Sequence, residues 1–526
     1  MTLTNLVTDF NRFPSNGEEL NVDKVNPAIR LYGRRFYKDQ TPLEYLAEFL
    51  LIFVSSKQEN GEGCYEFKLS LEEGGAPRYW PEDRIALKLF SFFSSSKLET
   101  RHPVHRQAYL EALETFKGHI DGNKDEQEET LRLIQSLFGG FVGVAKNRTW
   151  VTYTFLPATT ALLSREINWK HAEALKKGGI QDWKTSTPYF ADNVRNFMGR
   201  GGELLFLQVA NLFEDANAPG ITALLQLEEY KYLNNRIENL KSNLENGLRE
   251  MLEESLDSLG VLASLIENIL DKYKINPNLK PSRLGWVPTV TFPEAFLFAI
   301  EIENICLSNI GGLEKVELLQ VLCSMQVLRS LCFQARRIDE IEKLTSGFIG
   351  NYAWIVADQN ATVESPIRQM SQGSFDEIDE MLYRVLRSPY LFKDGSNVSK
   401  RDLINADDNV FRHFRKLSKE IGLVIPRKGS GQRFTLHQGL LRFLVAALVA
   451  PGERIRLTHF YQRVFAHYGI ALGGEQLAVA LNWCGKQVAG DSYAVSSSTA
   501  WVEEALQQGG FLVELSDAVS IVKNPG

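Results

Sequence analysis

Seven Lys and Arg stand against one Glu in the run NVFRHFRKLSKEIGLVIPRKGSGQR, residues 409–433. Clustered guanidinium and ammonium groups suit one kind of ligand above others, the oxygens of phosphates, which they hold through charge-assisted hydrogen bonds. Arg412, Arg415, Lys416 and Lys419 recur at three- and four-residue steps. One helical face would therefore carry them, with Phe411, Phe414 and Leu417 turned to a core. Arg427, Lys428 and Arg433 follow on two short apolar runs, LVIP and RFTLH, that flank RKGSGQ as the strands of a hairpin flank its turn. Duplex DNA, with a charge every ~1.7 Å of axis, fits a patch built in two parts. The plainer alternative is a solvated basic face on a structural module.

Other constellations carry less. Gly201 and Gly202, beside Arg200 in NFMGRGGELLF, open an apolar helix whose free N–H groups would suit an anion, although turns and close helix contacts explain such glycines more simply. The same holds for Gly139 and Gly140 in SLFGGFVGV. His102 and His105 in RHPVH, and His459 and His467 two turns apart with Arg463 between, lack a carboxylate or Cys at ligand spacing and read as structural. Glu72–Glu73 and Asp407–Asp408 have the composition of turns and caps. Glu66–Phe67–Lys68 is the least weak enzymatic option, an E-x-K of the nuclease type without its preceding acid. No Walker A, H-E-x-x-H, G-x-S-x-G or kinase signature occurs. The sequence thus names no catalytic residue, cofactor or metal ligand.

The background sharpens the basic run. In 526 residues the net charge is −7, 44% of residues are hydrophobic and 23% charged, and the pI is near 5.8. A chain of that balance contacts nucleic acid through a local patch or not at all. The scattered Cys64, Cys306, Cys323, Cys332 and Cys484 suit buried thiols in a reducing compartment. The N-terminus has no secretory pattern, and YLAEFLLIFVSS, with Glu48 inside it, is too short to span a bilayer, so a bacterial cytoplasm is the expected setting.

The expected fold class is mainly α with minor β (α+β). Residues 1–215 read as a mixed N-terminal domain. In it Thr41, Pro42 and Glu44 mark a helix start over 41–55, 64–73 and 148–158 alternate as strands do, and 80–95 returns to helical spacing. Residues 216–344 read as helical scaffold. Leu233, Ile237, Leu240, Leu244, Leu248, Met251 and Leu252 there predict a long amphipathic arm within 221–275, more simply paired inside the chain than with another. Residues 345–373 gather Ser, Gly, Gln and Asn and read as a connection.

Three helices come next: 374–389, 399–405 and 407–422, the last capped by Asp407 or Asp408, ahead of the hairpin around RKGSGQ. This order of elements, over residues 374–437, resembles the winged-helix family, a relative of helix-turn-helix. The resemblance implies that helix 409–420 is a recognition element and RKGSGQ a wing tip. A second copy of the layout spans 438–526, with helices over 439–450, 455–470, 474–485 and 497–510 and a hairpin over 511–525 turning at Ser516–Asp517. Its last helix and wing carry Glu503, Glu504, Glu514 and Asp517 against Lys523, which suits a protein partner better than phosphate. In size and composition the chain also resembles the non-catalytic accessory subunits of multi-gene bacterial anti-phage defence systems. That resemblance implies double-stranded DNA and neighbouring subunits, an ATPase, methyltransferase or nuclease, as partners, and no membrane. Kleisin-type subunits of chromosome-organising complexes are the alternative, together with a cryptic nuclease or hydrolase site in the N-terminal half.

Overall fold

The computed structural model describes the chain except residues 1–10, 20–24, 35, 37–38, 60, 62–63, 73, 75–76, 92–101, 146–147, 171–172, 174–178, 193–200, 254–255, 276–280, 340–347, 393–397, 484–498, 517–518 and 525–526. The fold is mainly α with minor β. Two compact units form: one from residues 39–203 and 248–284, the other from 1–38, 204–247 and 285–526. Blocks 1–215 and 216–344 are therefore each shared between units. Local periodicity reports that a face is buried and not which body buries it.

In the unit of 39–203 and 248–284, the helix Pro42–Val54 begins as expected, with Glu44 accepting the Thr41 N–H at 2.9 Å and the Thr41 hydroxyl accepting the Glu44 N–H at 3.4 Å. Every residue from Glu44 to Val54 is buried, so the helix is enclosed on all sides. The strand expected at 64–73 does not form among the described residues. Tyr65 makes a lone bridge to Ser55, Phe67 sits at φ 52°, and the Glu66 and Lys68 N–H groups turn back to the Val54 and Phe53 carbonyls. Backbone donors there serve the helix end instead of a sheet. The segment 148–158 yields only Thr154–Phe155, paired antiparallel with Val142–Val144, and the helix read over 80–95 is described as Ile85–Phe90.

The long arm expected within 221–275 is broken. Helix Ala218–Leu225, 3₁₀ turns at Glu228–Leu233 and Ile237–Asn239, helix Leu240–Glu253 and helix Asp257–Ile269 replace it. The apolar stripe itself is right, since Leu233, Leu240, Leu244, Leu248, Met251 and Leu252 are all buried. Two adjacent asparagines, Asn234 and Asn235, a residue type that favours turns over helix interiors, follow the first 3₁₀ turn.

In the larger unit, helices Phe292–Leu307 and Gly312–Ile338 form the buried centre. The second is long and apolar enough to cross a membrane by length and composition, yet 83% of its most apolar 18-residue stretch is buried inside the protein. The helix Pro366–Val385 starts eight residues before the expected 374, inside the segment that reads as a connection. Its small residues do the opposite of linking. Ser371 donates to the Phe434 carbonyl (2.7 Å) and Ser374 to the Ala353 carbonyl (2.8 Å), which brings the helix against two strands.

Helix Lys400–Asn409 is capped by Ser399, and helix Phe411–Glu420 follows after a break at Val410. Asp407 and Asp408 therefore cap nothing and lie in the last turn of the earlier helix. Asp407 instead accepts both Arg387 Nη groups at 2.8 Å. Val424–Ile425 pairs antiparallel with Arg433–Phe434, and Trp354–Ile355 runs parallel to Ile470–Ala471. In the last stretch, helices Gln438–Leu448, Leu457–Tyr468, Gly474–Trp483 and Ala500–Gln508 precede the hairpin Leu512–Ser516 and Val519–Lys523. A third strand, Arg454–Arg456, joins it in the order 454–456, 519–523, 512–516. Cys484 and Asp517 lie outside the described residues.

Candidate nucleic-acid interface

Helix Phe411–Glu420 separates its faces sharply. Phe414 and Leu417 are fully buried and Phe411 is half-buried, its ring edge-on to Tyr383 at 5.6 Å. The opposite face holds the four cations, but most are already engaged. Arg412 donates to Asp408 at 2.6 Å, one turn back. Arg415 grips both oxygens of Asp379 on helix Pro366–Val385, at 2.5 and 2.6 Å. Lys416 lies 3.7 Å from Glu420. Among the described residues Lys419 makes no hydrogen-bonded ion pair, and partial burial and the neighbouring Arg415 push its ammonium pKa down against the pull of Asp379.

The hairpin divides its cations too. Arg427 and Lys428 are exposed before Gly429 and Gly431, both at positive φ, where the turn needs glycine. Arg433 faces inward. It is buried, donates to the Gln359 carbonyl at 3.0 Å, and its pKa is lowered by burial and by Arg368. As a surface contact for DNA, Arg433 is thus corrected: the loop through Gln359 covers it. Among the described residues, Lys419, Arg427 and Lys428 are the cations of the patch without a hydrogen-bonded carboxylate.

The remaining candidates resolve differently. At the start of helix Gly201–Leu212 the N–H groups are occupied by the chain itself, Gly201 donating to Gln40 (3.0 Å) and Gly202 to the buried Glu48 carboxylate (2.7 Å). A Cβ at Gly202 would sit 2.8 Å from the Phe49 nitrogen, so close approach explains this glycine. Gly139 and Gly140 differ, with open space where a Cβ would go. Arg200 is outside the described residues. His102 caps helix Pro103–Lys117, and His105 is enclosed by Trp150, Trp169 and Phe190 at ring distances of 5.4, 4.5 and 5.7 Å. Glu66 accepts from Ser56 Oγ (2.8 Å) and the Lys57 N–H (3.1 Å) while Lys68 is exposed, so E-x-K holds a loop. Among the described residues no three His, Cys, Asp or Glu gather to hold a metal.

His467 does have a carboxylate, which sequence spacing missed because it lies 166 residues away. Its Nδ1 is 2.7 Å from Glu301 and its Nε2 is 2.7 Å from the Tyr232 hydroxyl. Arg329 binds both oxygens of Glu301 and donates to the His467 carbonyl. Tyr232 and His467 also line a cavity of about 110 Å³ with Arg236, Asn304, Glu453 and Arg463. There Arg463 binds Glu453, and Arg236 binds Glu303 and Asn304, so the polar groups satisfy one another. The arrangement is an internally closed network that holds helices together.

In the other unit, burial pushes Lys88 down to about 8 while it donates to the Arg165 carbonyl at 2.9 Å, and pushes Glu267 up to about 7 while it accepts the Leu87 N–H at 2.8 Å. Comparison with family models, with curated proteins and with solved structures gives no match to this chain.

Proposed function

We propose that the chain is a non-catalytic, DNA-contacting subunit of a cytoplasmic multi-protein system, with residues 366–436 as a winged-helix-like contact for the phosphate backbone. One observation carries this reading. Among the described residues, Lys419 on the helix and Arg427 and Lys428 at the hairpin tip have no hydrogen-bonded carboxylate, in an otherwise acidic chain. The order of three helices and a hairpin supports it. So does the pairing of Arg412 and Arg415 with acids, which fixes the helix and leaves the contact to the hairpin and the helix end.

These cations carry no means of reading base edges on their own, so the expected binding is sequence-tolerant and salt-sensitive. Titration of the full chain with a short duplex at several salt concentrations tests this. The triple variant Lys419→Ala, Arg427→Ala, Lys428→Ala should lose affinity and flatten the salt dependence by roughly two to three units, at about 0.9 per phosphate contact. Equal affinity and equal slope in a variant that melts normally would remove the reading. Membership of an anti-phage defence assembly, with chemistry on other chains, belongs to the same proposal. Co-purification of products of adjacent genes from the host is its test.

A further inference from the structure

The last hairpin reads as acidic along the sequence, but the strand Arg454–Arg456 changes the surface it belongs to. Across the sheet Arg454 lies opposite Lys523 and Arg456 opposite Ile521, while Ile521 lies opposite Val513 on the other side. Side chains of directly opposed residues share a face. Arg454, Arg456, Lys523, Ile521 and Val513 therefore occupy one face. Ile455, Val522 and Leu512 occupy the other and are buried. Glu514 stands opposite Ser520, on that second side.

We propose that this outer face of the three-stranded sheet is a second contact for the phosphate backbone of nucleic acid. Arg454 and Arg456 are exposed, Lys523 is half-exposed, and among the described residues none of the three makes a hydrogen-bonded ion pair. The nearest carboxylate in sequence, Glu453, is taken by Arg463 at 2.6 and 2.8 Å and by the Ala450 N–H at 3.0 Å. Three cations with no acid among the opposed residues of their face call for a polyanion. Two residues along a strand separate the arginines by about 6.6 Å, which is of the order of the distance between successive phosphates of one strand. Guanidinium groups on a paired strand meet phosphate oxygens two at a time and lose little freedom in doing so. Ile521 and Val513 beside them give sugars an apolar surface to lie on.

The choice of DNA as probe rests on the reading of residues 366–436 given above, but the two surfaces fail separately. The full chain carrying Arg454→Ala, Arg456→Ala and Lys523→Ala should bind a short duplex several-fold more weakly, with a salt slope lower by roughly two to three units. Combined with Lys419→Ala, Arg427→Ala and Lys428→Ala, the two losses of slope should add. Arg454→Lys with Arg456→Lys should restore most of the slope. An unchanged slope in the sheet variant, with a normal melt, overturns this inference and leaves the first surface standing. Loss of slope only in the sheet variant overturns the first surface instead. If the sheet variant keeps duplex binding and loses binding to poly-glutamate or to phosphatidylserine vesicles, the face serves another polyanion and the proposal is wrong.

Discussion

Arg329 holds both carboxylate oxygens of Glu301 at 2.8 Å, and both side chains are fully buried. The guanidinium also donates to Gln326 at 2.7 Å and lies 4.7 Å from the centre of the Tyr468 ring. Removing one partner of such a pair strands a charge away from water, which costs about 3–5 kcal/mol. Glu301→Gln should therefore lower the urea midpoint markedly. Glu301→Leu combined with Arg329→Met should cost far less than the two single changes summed, because no charge is left behind. A Glu301→Gln protein as stable as the parent would contradict the assignment.

His467 gives that network a pH dependence. Burial lowers its pKa, against the favourable pull of Glu301, so the imidazole is held neutral between Glu301 and Tyr232. The unfolded chain takes up the proton near about 6.5 and the folded chain only below that. The unfolded state thus binds more protons in that window, and stability falls as pH drops from about 6.5 towards the folded pKa. Denaturant midpoints measured across this range should decline on acidification, and His467→Gln should decline less. Equal slopes in both proteins would show that the proton is taken up elsewhere.

Glu267 should act with the opposite sign. Burial raises its carboxyl to about 7, so ionising it costs the folded state stability as pH climbs from about 4.3, the unfolded value, to 7, and the cost stays beyond. At about 1.4 kcal/mol per pKa unit the penalty is roughly 4 kcal/mol. Glu267→Gln keeps an acceptor for the Leu87 N–H and should be more stable than the parent at alkaline pH, with little difference at about pH 4. Thermal melts of both proteins at the two pH values settle it.

The parts of this molecule that local periodicity controls were legible. Phe414 and Leu417 point inward, the Leu240–Leu244–Leu248 stripe is core, and Thr41–Glu44 starts a helix, because each depends on neighbours within one or two turns. What decides the charge of the candidate interface is not local. Asp379 neutralises Arg415 from 36 residues away, and the Gln359 loop buries Arg433 from 74 away. The same distance hid Glu301 from His467 and strand Arg454–Arg456 from the last hairpin. Ser371 and Gly373 misled for another reason: small polar residues mark linkers by composition, and they also mark helices that approach strands closely.

Glycines separate in the same way. Gly202→Ala would push a methyl to 2.6 Å from Glu48 Cβ and 2.8 Å from the Phe49 nitrogen, so backbone must move, at about 1–3 kcal/mol. Gly139→Ala meets nothing within 4 Å inside helix Lys124–Gly140 and should stabilise by about 0.5–1 kcal/mol. Melting temperatures moving the same way in both variants would count against this placement of the two helices.

The cations of residues 409–433 should divide by role once they are removed singly. Arg415 is bound at two points to Asp379, whose pKa burial raises against the pull of that same guanidinium. Arg415→Ala leaves a partly buried carboxylate without its partner, so the protein should melt lower. It should change the salt slope of duplex binding little, since the lost group was already neutralised. Arg427→Ala with Lys428→Ala removes two exposed charges that make no side-chain hydrogen bond among the described residues. The melt should stay where it is, and the slope should fall by about two units. Arg433→Ala should resemble Arg415→Ala, because its hydrogen bond to Gln359 ties the hairpin to the body. If Arg415→Ala lowers the slope as much as the hairpin pair does, the ion pair with Asp379 opens when DNA binds, and the helix face as a whole, rather than its end and the wing, is the contact.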